Sequence, residues 1–407
     1  MELKPGYKQT VVGVIPVEWD VVLLDSVSRR ASGHTPDKAH PEYWGGDIKW
    51  VSLADSHRLD DHYINETTAT ITAKGIANSS ANILPAGCCI VSRDAGVGKS
   101  AVLAEEMAVS QHFMAWHCGP SLNNHYLYFL LQAMKSELER IAIGNTIKTI
   151  GLPYFKSLRV PLPSIVEQQS IASALLDVDQ LIRELAACIA KKRGIRQAAM
   201  QELLTGKRRL PGFEGEWVAG KLGDYVEKIV GGGTPSRANP GFWGGEIPWA
   251  TVKDLTVFQP NQTQEWLTRD GLKNSSANLI PAGTLIASTR MALGKAVIFA
   301  TDVAINQDLK AIFFGKNGMA RFFCYWFEAN ASAIDAIGGG STVKGISLSQ
   351  LKALDVANPG LAEQNAIVDV ISDIETEIET LENRLTKTRA LKQAMMQELL
   401  TGRIRLR

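Results

Sequence analysis

Apolar residues recur along two stretches of the chain in alternating steps of four and three. The first series is Ile171, Leu175, Val178, Ile182, Leu185, Ile189, Lys192, Arg196, Ala199 and Leu203. Adding 196 to each number gives Ile367, Ile371, Ile374, Ile378, Leu381, Leu385, Thr388, Lys392, Met395 and Leu399. A seam with this spacing, kept over four heptads, predicts two long helices that zip against each other rather than two that fold back separately. Pro163 and Pro359 lie before their starts, and Gly206 and Gly402 supply the stops. A helix over 167–204 is about 57 Å long. Both seams turn polar at the same two steps, Lys192/Thr388 and Arg196/Lys392. Such residues cost stability but fix register, or they mark where the pair splays or where a partner sits.

Ahead of each helical stretch the pattern changes. Short β-rich runs (Ile48–Leu53, Cys89–Ser92, Thr284–Ser288, Ala296–Phe299) are separated by Gly, Pro and Asn turns. One amphipathic helix is expected in each part, over 123–142 and 319–334. No βαβ alternation occurs and no glycine fingerprint opens a helix, which argues against a doubly wound cofactor fold.

The two halves repeat each other. TPDKAHPEYWGGDIKW (35–50) returns as TPSRANPGFWGGEIPW (234–249), 199 residues on. GIANSSANILPAG (75–87) returns as GLKNSSANLIPAG (271–283), now 196 residues on, and MQELLTG recurs at 200–206 and 396–402. A loop three residues shorter in the second copy accounts for the shift. Two copies near 200 residues are too few and too long for a solenoid and read as a duplicated unit. The expected fold class is α+β: two homologous mixed α/β domains separated by two long coiled-coil helices. If those helices run antiparallel, one chain gains an internal pseudo-two-fold axis. The boundaries expected are 1–160 for the first domain, 161–206 for the first helix, 207–358 for the second domain and 359–407 for the second helix.

Composition adds exclusions. At 407 residues with 45% hydrophobic and 21% charged positions, the chain has ample core and is not globally disordered. It has no run of eighteen apolar residues, so no membrane span is expected, and MELKPGYKQT lacks a signal-peptide core, so a cytoplasmic location is expected. Cys88, Cys89, Cys118, Cys188 and Cys324 form no CxxC pair, and buried free thiols are expected. With 43 basic and 42 acidic residues the net charge is +1, which does not suit a protein that coats nucleic acid unaided.

Catalytic patterns are incomplete. Gly96-Val97-Gly98-Lys99-Ser100 resembles the end of a P-loop, but Arg93 stands where the first glycine is needed. Asp37, Asp47 and Lys49 resemble a metal-dependent nuclease site, yet the second copy has Ser236 and Pro248 at two of these positions. Asn239-Pro240-Gly241-Phe242 departs from the methyltransferase Asn-Pro-Pro-aromatic element at Gly241 and reads as a turn. All seven histidines precede residue 126 and show no metal-ligand spacing. No catalytic residue and no metal site is assigned. What is duplicated is turns, aromatics, single basic residues and a spacer, which is a binding inventory.

The ordered set resembles the specificity subunits of type I restriction–modification systems, over essentially the whole chain. The carriers are the TP…WGGxIxW loop, NSSANx[LI]PAG, Thr-[IV]-Lys, the Pro…Glu-Gln start of each long helix and the MQELLTG end, all present twice. The resemblance implies two target-recognition domains that each read one half of a split, asymmetric site in double-stranded DNA. It implies that the helices set the gap and dock two methyltransferase subunits, with restriction and motor subunits added. It implies no cofactor in this chain, S-adenosylmethionine, ATP and Mg²⁺ belonging to the partner subunits. Two alternatives remain at this stage: a nuclease using Asp37, Asp47 and Lys49, or a specificity subunit of a stand-alone methyltransferase complex. A coiled-coil adaptor without a DNA role is a third.

For DNA contact, lysines present in both copies suit a shared task, gripping phosphate: Lys99 and Lys295, Lys148 and Lys344, with Thr146 and Thr342 nearby. Residues that differ suit base reading: Ser92-Arg93-Asp94 against Ser288-Thr289-Arg290, and the Asp55–Arg58 segment against Asp254–Val257. Trp44, Trp50, Trp243 and Trp249 are expected in the core. Leu175, Ile182, Ile189, Ile371, Ile378 and Leu385 are expected on the seam.

Overall fold

A computed structural model of the chain describes residues 5–59, 61–144, 148–339 and 344–406. Two helices of 39 residues, Ile165–Leu203 and Leu361–Leu399, occupy the heptad stretches. The chain packs into two compact units: Met1–Ala186 with Asn383–Arg407, and Ala187–Glu382. Each unit therefore contains half of each long helix.

In the first unit, the five-stranded sheet runs in the order Ser28–Ser32, Phe113–Cys118, Cys89–Ser92, Ser100–Leu103, Tyr63–Ile64. Its neighbours are antiparallel except the last pair, which is parallel. A four-stranded sheet follows the order Ala69–Ile71, Trp44–Val51, Met107–Val109, Ile83–Leu84. The main core gathers Trp19, Trp116, Phe129 and Phe155, and it is closed by Ile171 and Leu175 from one long helix and Met396, Leu399 and Leu400 from the other. Each such buried aliphatic side chain contributes roughly 1.5–3 kcal/mol. The helix halves run antiparallel, since Asp179 meets Lys392 at 2.5 Å while the earlier Glu167 meets the later Arg405. Leu175 is buried on this seam, and Ile182 and Leu385 are half-buried.

The second unit repeats the plan. One sheet runs Val226–Gly231, Leu309–Phe314, Leu285–Ser288, Ala296–Ile298 and the other Glu265–Leu267, Trp243–Ala250, Val303–Ile305, Asn278–Ile280. Met200, Leu203, Leu204, Ile367, Val368 and Ile371 close its core from the helices. Ile189, Ile371 and Ile378 are buried on its antiparallel seam. The polar seam step is filled by cross-helix ion pairs: Arg196 to Glu375 at 2.7 Å, and Lys192 to Glu377. In the first unit the matching Lys392 pairs with Asp179, so these steps do not mark a splay in either unit.

The repeated Glu-Gln at each helix start has a physical cause. Gln168, fully buried, accepts from the Asn123 N–H at 2.8 Å and donates to the Ser121 and Pro163 carbonyls. Gln364 does the same with Met319, Asn317 and Pro359. The neighbouring Glu167 accepts from Trp19 and Arg405, and Glu363 accepts from Trp217 and Arg209. One motif thus ties the helix start both to the preceding domain and to the segment that follows MQELLTG.

Two expectations need correction. The amphipathic helix of each copy is two helices, Asn124–Ala133 with Lys135–Ile141, and Ala320–Ala329 with Ala331–Ile337. The break lies under a glycine turn. A Cβ on Gly98 would sit 3.1 Å from the Lys135 Cα, and one on Gly294 2.5 Å from the Ala331 Cα. Both glycines have positive φ, so the Gly-Lys pair is a close-packed turn. Second, Cys88 and Cys89 are buried, but Cys118 and Cys324 are half-buried and Cys188 is exposed. The expected three-residue deletion is present and falls between the aspartates Asp55/Asp254 and the residues whose N–H they accept, Thr68 and Gln264. The longer loop of the first unit carries the extra strand Tyr63–Ile64, which the second unit lacks among its described residues. No helix among the described residues is long and apolar enough to cross a membrane.

Candidate nucleic-acid interface

In the first unit four loops meet beyond the strand Cys89–Ser92. The Arg93 N–H donates to the His112 carbonyl at 2.9 Å, and the Ile150 N–H donates to the Arg93 carbonyl. Thr149 pairs with Asp94 through the backbone, and its hydroxyl donates to the Asp94 carboxylate. Lys99 reaches the Ser56 carbonyl at 3.0 Å, bringing in the segment 53–58. Arg93 and Lys99 are therefore placed together, with exposed Lys148 beside Thr149. Thr146 and Thr342 lie outside the described residues.

The second unit builds the same junction. Thr289 donates its N–H to the Asp308 carbonyl, Ile346 donates to the Thr289 carbonyl, and Met291 donates to the Lys344 carbonyl. Thr289, Arg290, Gln307, Lys310, Gly345 and Ser347 line an open cleft of about 590 Å³. Burial holds Lys310 below the ordinary lysine range, and Arg290 adds to the effect against the opposing pull of Asp308. Lys295 is exposed, whereas Lys344 pairs with Asp335 at 2.6 Å.

Several candidates are occupied by the fold. Ser92 and Ser288 are buried, and each hydroxyl donates 2.5 Å to the carbonyl two residues on. Thr289 is buried and donates to the Asp308 carbonyl. Asp55 and Asp254 are buried capping residues that accept from Ser52 and Thr251. The tryptophans are structural. Trp50 donates to the His34 carbonyl and Trp249 to that of Gly233, and each stacks edge-on against its partner Trp44 or Trp243 at 5.1 Å.

The nuclease pattern does not assemble. Lys49 binds Glu66 and Glu105, not Asp37 or Asp47, and Asp37 caps the Ala39 N–H. The apparent P-loop is a hairpin turn between two antiparallel strands, so no helix N-terminus waits for a phosphate. Asn239–Phe242 is a turn of 3₁₀ helix.

Sequence reasoning overlooked two features. The repeat already sets Asp94 against Arg290 and Arg93 against Thr289, but not what those positions pair with. First, Asp94 accepts from His112 at 2.7 Å, while at the matching positions Arg290 lies 3.7 Å from Asp308. An acid and a base have changed places, a signal readable by subtracting 196. Second, Gln111 accepts from Thr35 at 2.6 Å and Gln307 from Thr234 at 2.7 Å, joining two repeated motifs that the sequence shows separately. The residue after the exchanged position, Ala95 or Met291, is the sole left-handed non-glycine of its unit among the described residues. Such strain costs about 1–3 kcal/mol and collects at binding loops.

Comparison with known proteins gives a consistent result. A family model described as the type I restriction modification DNA specificity domain matches residues 16–191 and again 214–388. The specificity subunit of the type I restriction enzyme MjaIX from Methanocaldococcus jannaschii is 26% identical over 69% of this chain and 68% of its own length. The crystal structure of a type I restriction–modification S subunit from M. genitalium superposes with a TM-score of 0.58 at 14% identity, covering 98% of both chains. A chain from a structural study of complex assembly and conformational transition of the type I system gives 0.63 at 17% identity, covering 96% of this chain and 99% of that one.

Proposed function

This chain belongs to the type I restriction–modification DNA specificity family, and on that premise we propose that its two units read the two halves of a split, asymmetric site in double-stranded DNA. It is a recognition subunit, not an enzyme. The supporting observation is one loop junction built twice: the interior is held by shared Gln, Trp and Gly residues, and the tips carry different side chains. Shared interior chemistry fixes a common docking geometry, and differing tips suit different base pairs. Residues 1–160 and 207–358 act as the target-recognition domains, and 161–206 and 359–407 as the spacer that sets the unread gap.

Two methyltransferase subunits dock on the spacer region, and restriction–motor subunits join them. S-adenosylmethionine, ATP and Mg²⁺ serve those partners. The assembly works in the cytoplasm, where the DNA is. A net charge of +1 fits a division in which partners supply part of the cationic clamp.

Modified-base sequencing of host DNA with and without the gene tests this reading. A split motif methylated in both halves is expected to disappear with the gene. Unchanged methylation in cells that make the partner methyltransferase overturns it.

A further inference from the structure

We infer that the charge-exchanged pair, Asp94–His112 in the first unit and Arg290–Asp308 in the second, is the point at which the two units read different bases. The inference rests on the DNA-reading function proposed above. Both pairs join the same two loops, between the strands Cys89–Ser92 and Ser100–Leu103 or their counterparts and in the turn before Phe113 or Leu309. Both lie beside the Thr–Gln bond that is identical in the two units. An identical bond cannot distinguish two DNA words, whereas a reversal of charge beside it can.

The chemistry at the two positions differs in kind. Arg290 is 62% exposed and its guanidinium touches Asp308 only at 3.7 Å. It is free to turn outward and offer two parallel N–H donors to guanine N7 and O6 in the major groove. In the first unit the carboxylate of Asp94 is occupied by His112 and Thr149. The Nδ1 bond to Asp94 places the proton of a neutral His112 ring on that nitrogen and leaves Nε2 as an acceptor. An acceptor there selects an amino group, the N4 of cytosine or the N6 of adenine. The second unit has Lys310 beside Arg290 where the first has buried Met114, but its ammonium is held by the Gln307 and Leu309 carbonyls, which leaves Arg290 as the outward donor. Unit two is thus assigned a guanine at this contact, and unit one an amino-bearing base.

The test uses the complete complex of this chain with its methyltransferase. Binding is measured to a duplex carrying the methylated motif and to duplexes with each base pair changed in turn. Arg290→Ala is expected to erase discrimination at one G·C pair in one half-site, a loss of roughly 5- to 150-fold in preference. The other half-site should be unaffected. Arg290→Lys keeps the charge without the fork and should restore affinity but not the choice of base. Equal loss on every duplex, or altered preference in both halves, overturns the inference and makes Arg290 a phosphate contact. If the unmodified complex discriminates among none of the duplexes, the DNA-reading proposal itself fails, and this inference falls with it.

Discussion

Arg405 grips Glu167 through two parallel N–H···O bonds across 238 positions of sequence, the second of them 2.8 Å long. Arg209 holds Glu363 in the same way in the other unit, at 2.6 and 2.7 Å. Each glutamate is almost fully buried and also accepts from a tryptophan, Trp19 or Trp217. The same joint is made once by a continuous stretch of chain and once by its two distant ends.

Removing either carboxylate leaves an arginine and an indole N–H without their acceptor. Glu167→Ala and Glu363→Ala should each lower stability by about 3 kcal/mol, the low end for a broken buried pair because the arginines keep some access to water. Denaturant titration followed by tryptophan fluorescence measures it. A loss under about 0.5 kcal/mol would show that the joint does not hold the units closed.

The seam pair Asp179–Lys392 predicts a different outcome. Asp179→Leu alone should destabilise, since Lys392 is then left unpaired among apolar neighbours. Asp179→Leu with Lys392→Leu should be neutral or more stable, by up to about 4 kcal/mol, because desolvating an ion pair offsets most of its attraction. Thermal unfolding of the single and double variants decides. A double variant less stable than the unmodified chain would mean that the pair contributes net stability.

Lys99 and Lys295 occupy equivalent positions but not equivalent surroundings. Exposed Lys295→Ala should weaken DNA binding equally on all sequences and reduce the salt slope by about 1. Lys99→Ala should also lower the melting temperature of the free chain, since its ammonium holds the Ser56 carbonyl. Identical behaviour of the two variants in melting and binding would contradict this distinction.

His62 is pushed down to about 3, first by burial and then by the charges of His125, Arg183 and Lys392. The folded chain therefore refuses a proton that the unfolded chain accepts below about pH 6.5. Stability is full above that pH and falls as pH drops toward 3, by at most about 1.4 kcal/mol per pH unit from this group. His62→Gln should flatten the dependence of unfolding free energy on pH between 4 and 6. An unchanged slope would place the acid sensitivity elsewhere.

Periodicity made the long helices legible to within two residues, because a heptad seam needs only the order of apolar side chains. The repeat likewise revealed the loop deletion, which lies between Asp55 and Thr68. Pairings across the repeat were not legible. Gln111 with Thr35 and Asp94 with His112 depend on which loops the sheets bring together, and linear spacing is silent on that. The lysines looked alike because sequence reports charge and not burial. The break at Met134 was hidden because its cause, the turn at Gly98, lies 36 positions away in the chain.

The second unit is one unbroken stretch, 187–382, while the first needs 383–407 as well. A ribosome delivers all of the second unit before the segment that completes the first. The half translated first is therefore the half finished last. Until that segment emerges, Trp19, Ile171 and Leu175 lack the cover of Met396, Leu399 and Leu400, and Glu167 has no arginine. Closing so long a loop is a slow, high-contact-order step. The nascent protein thus passes through an interval in which one reading domain is complete and the other is still open to chaperones and proteases.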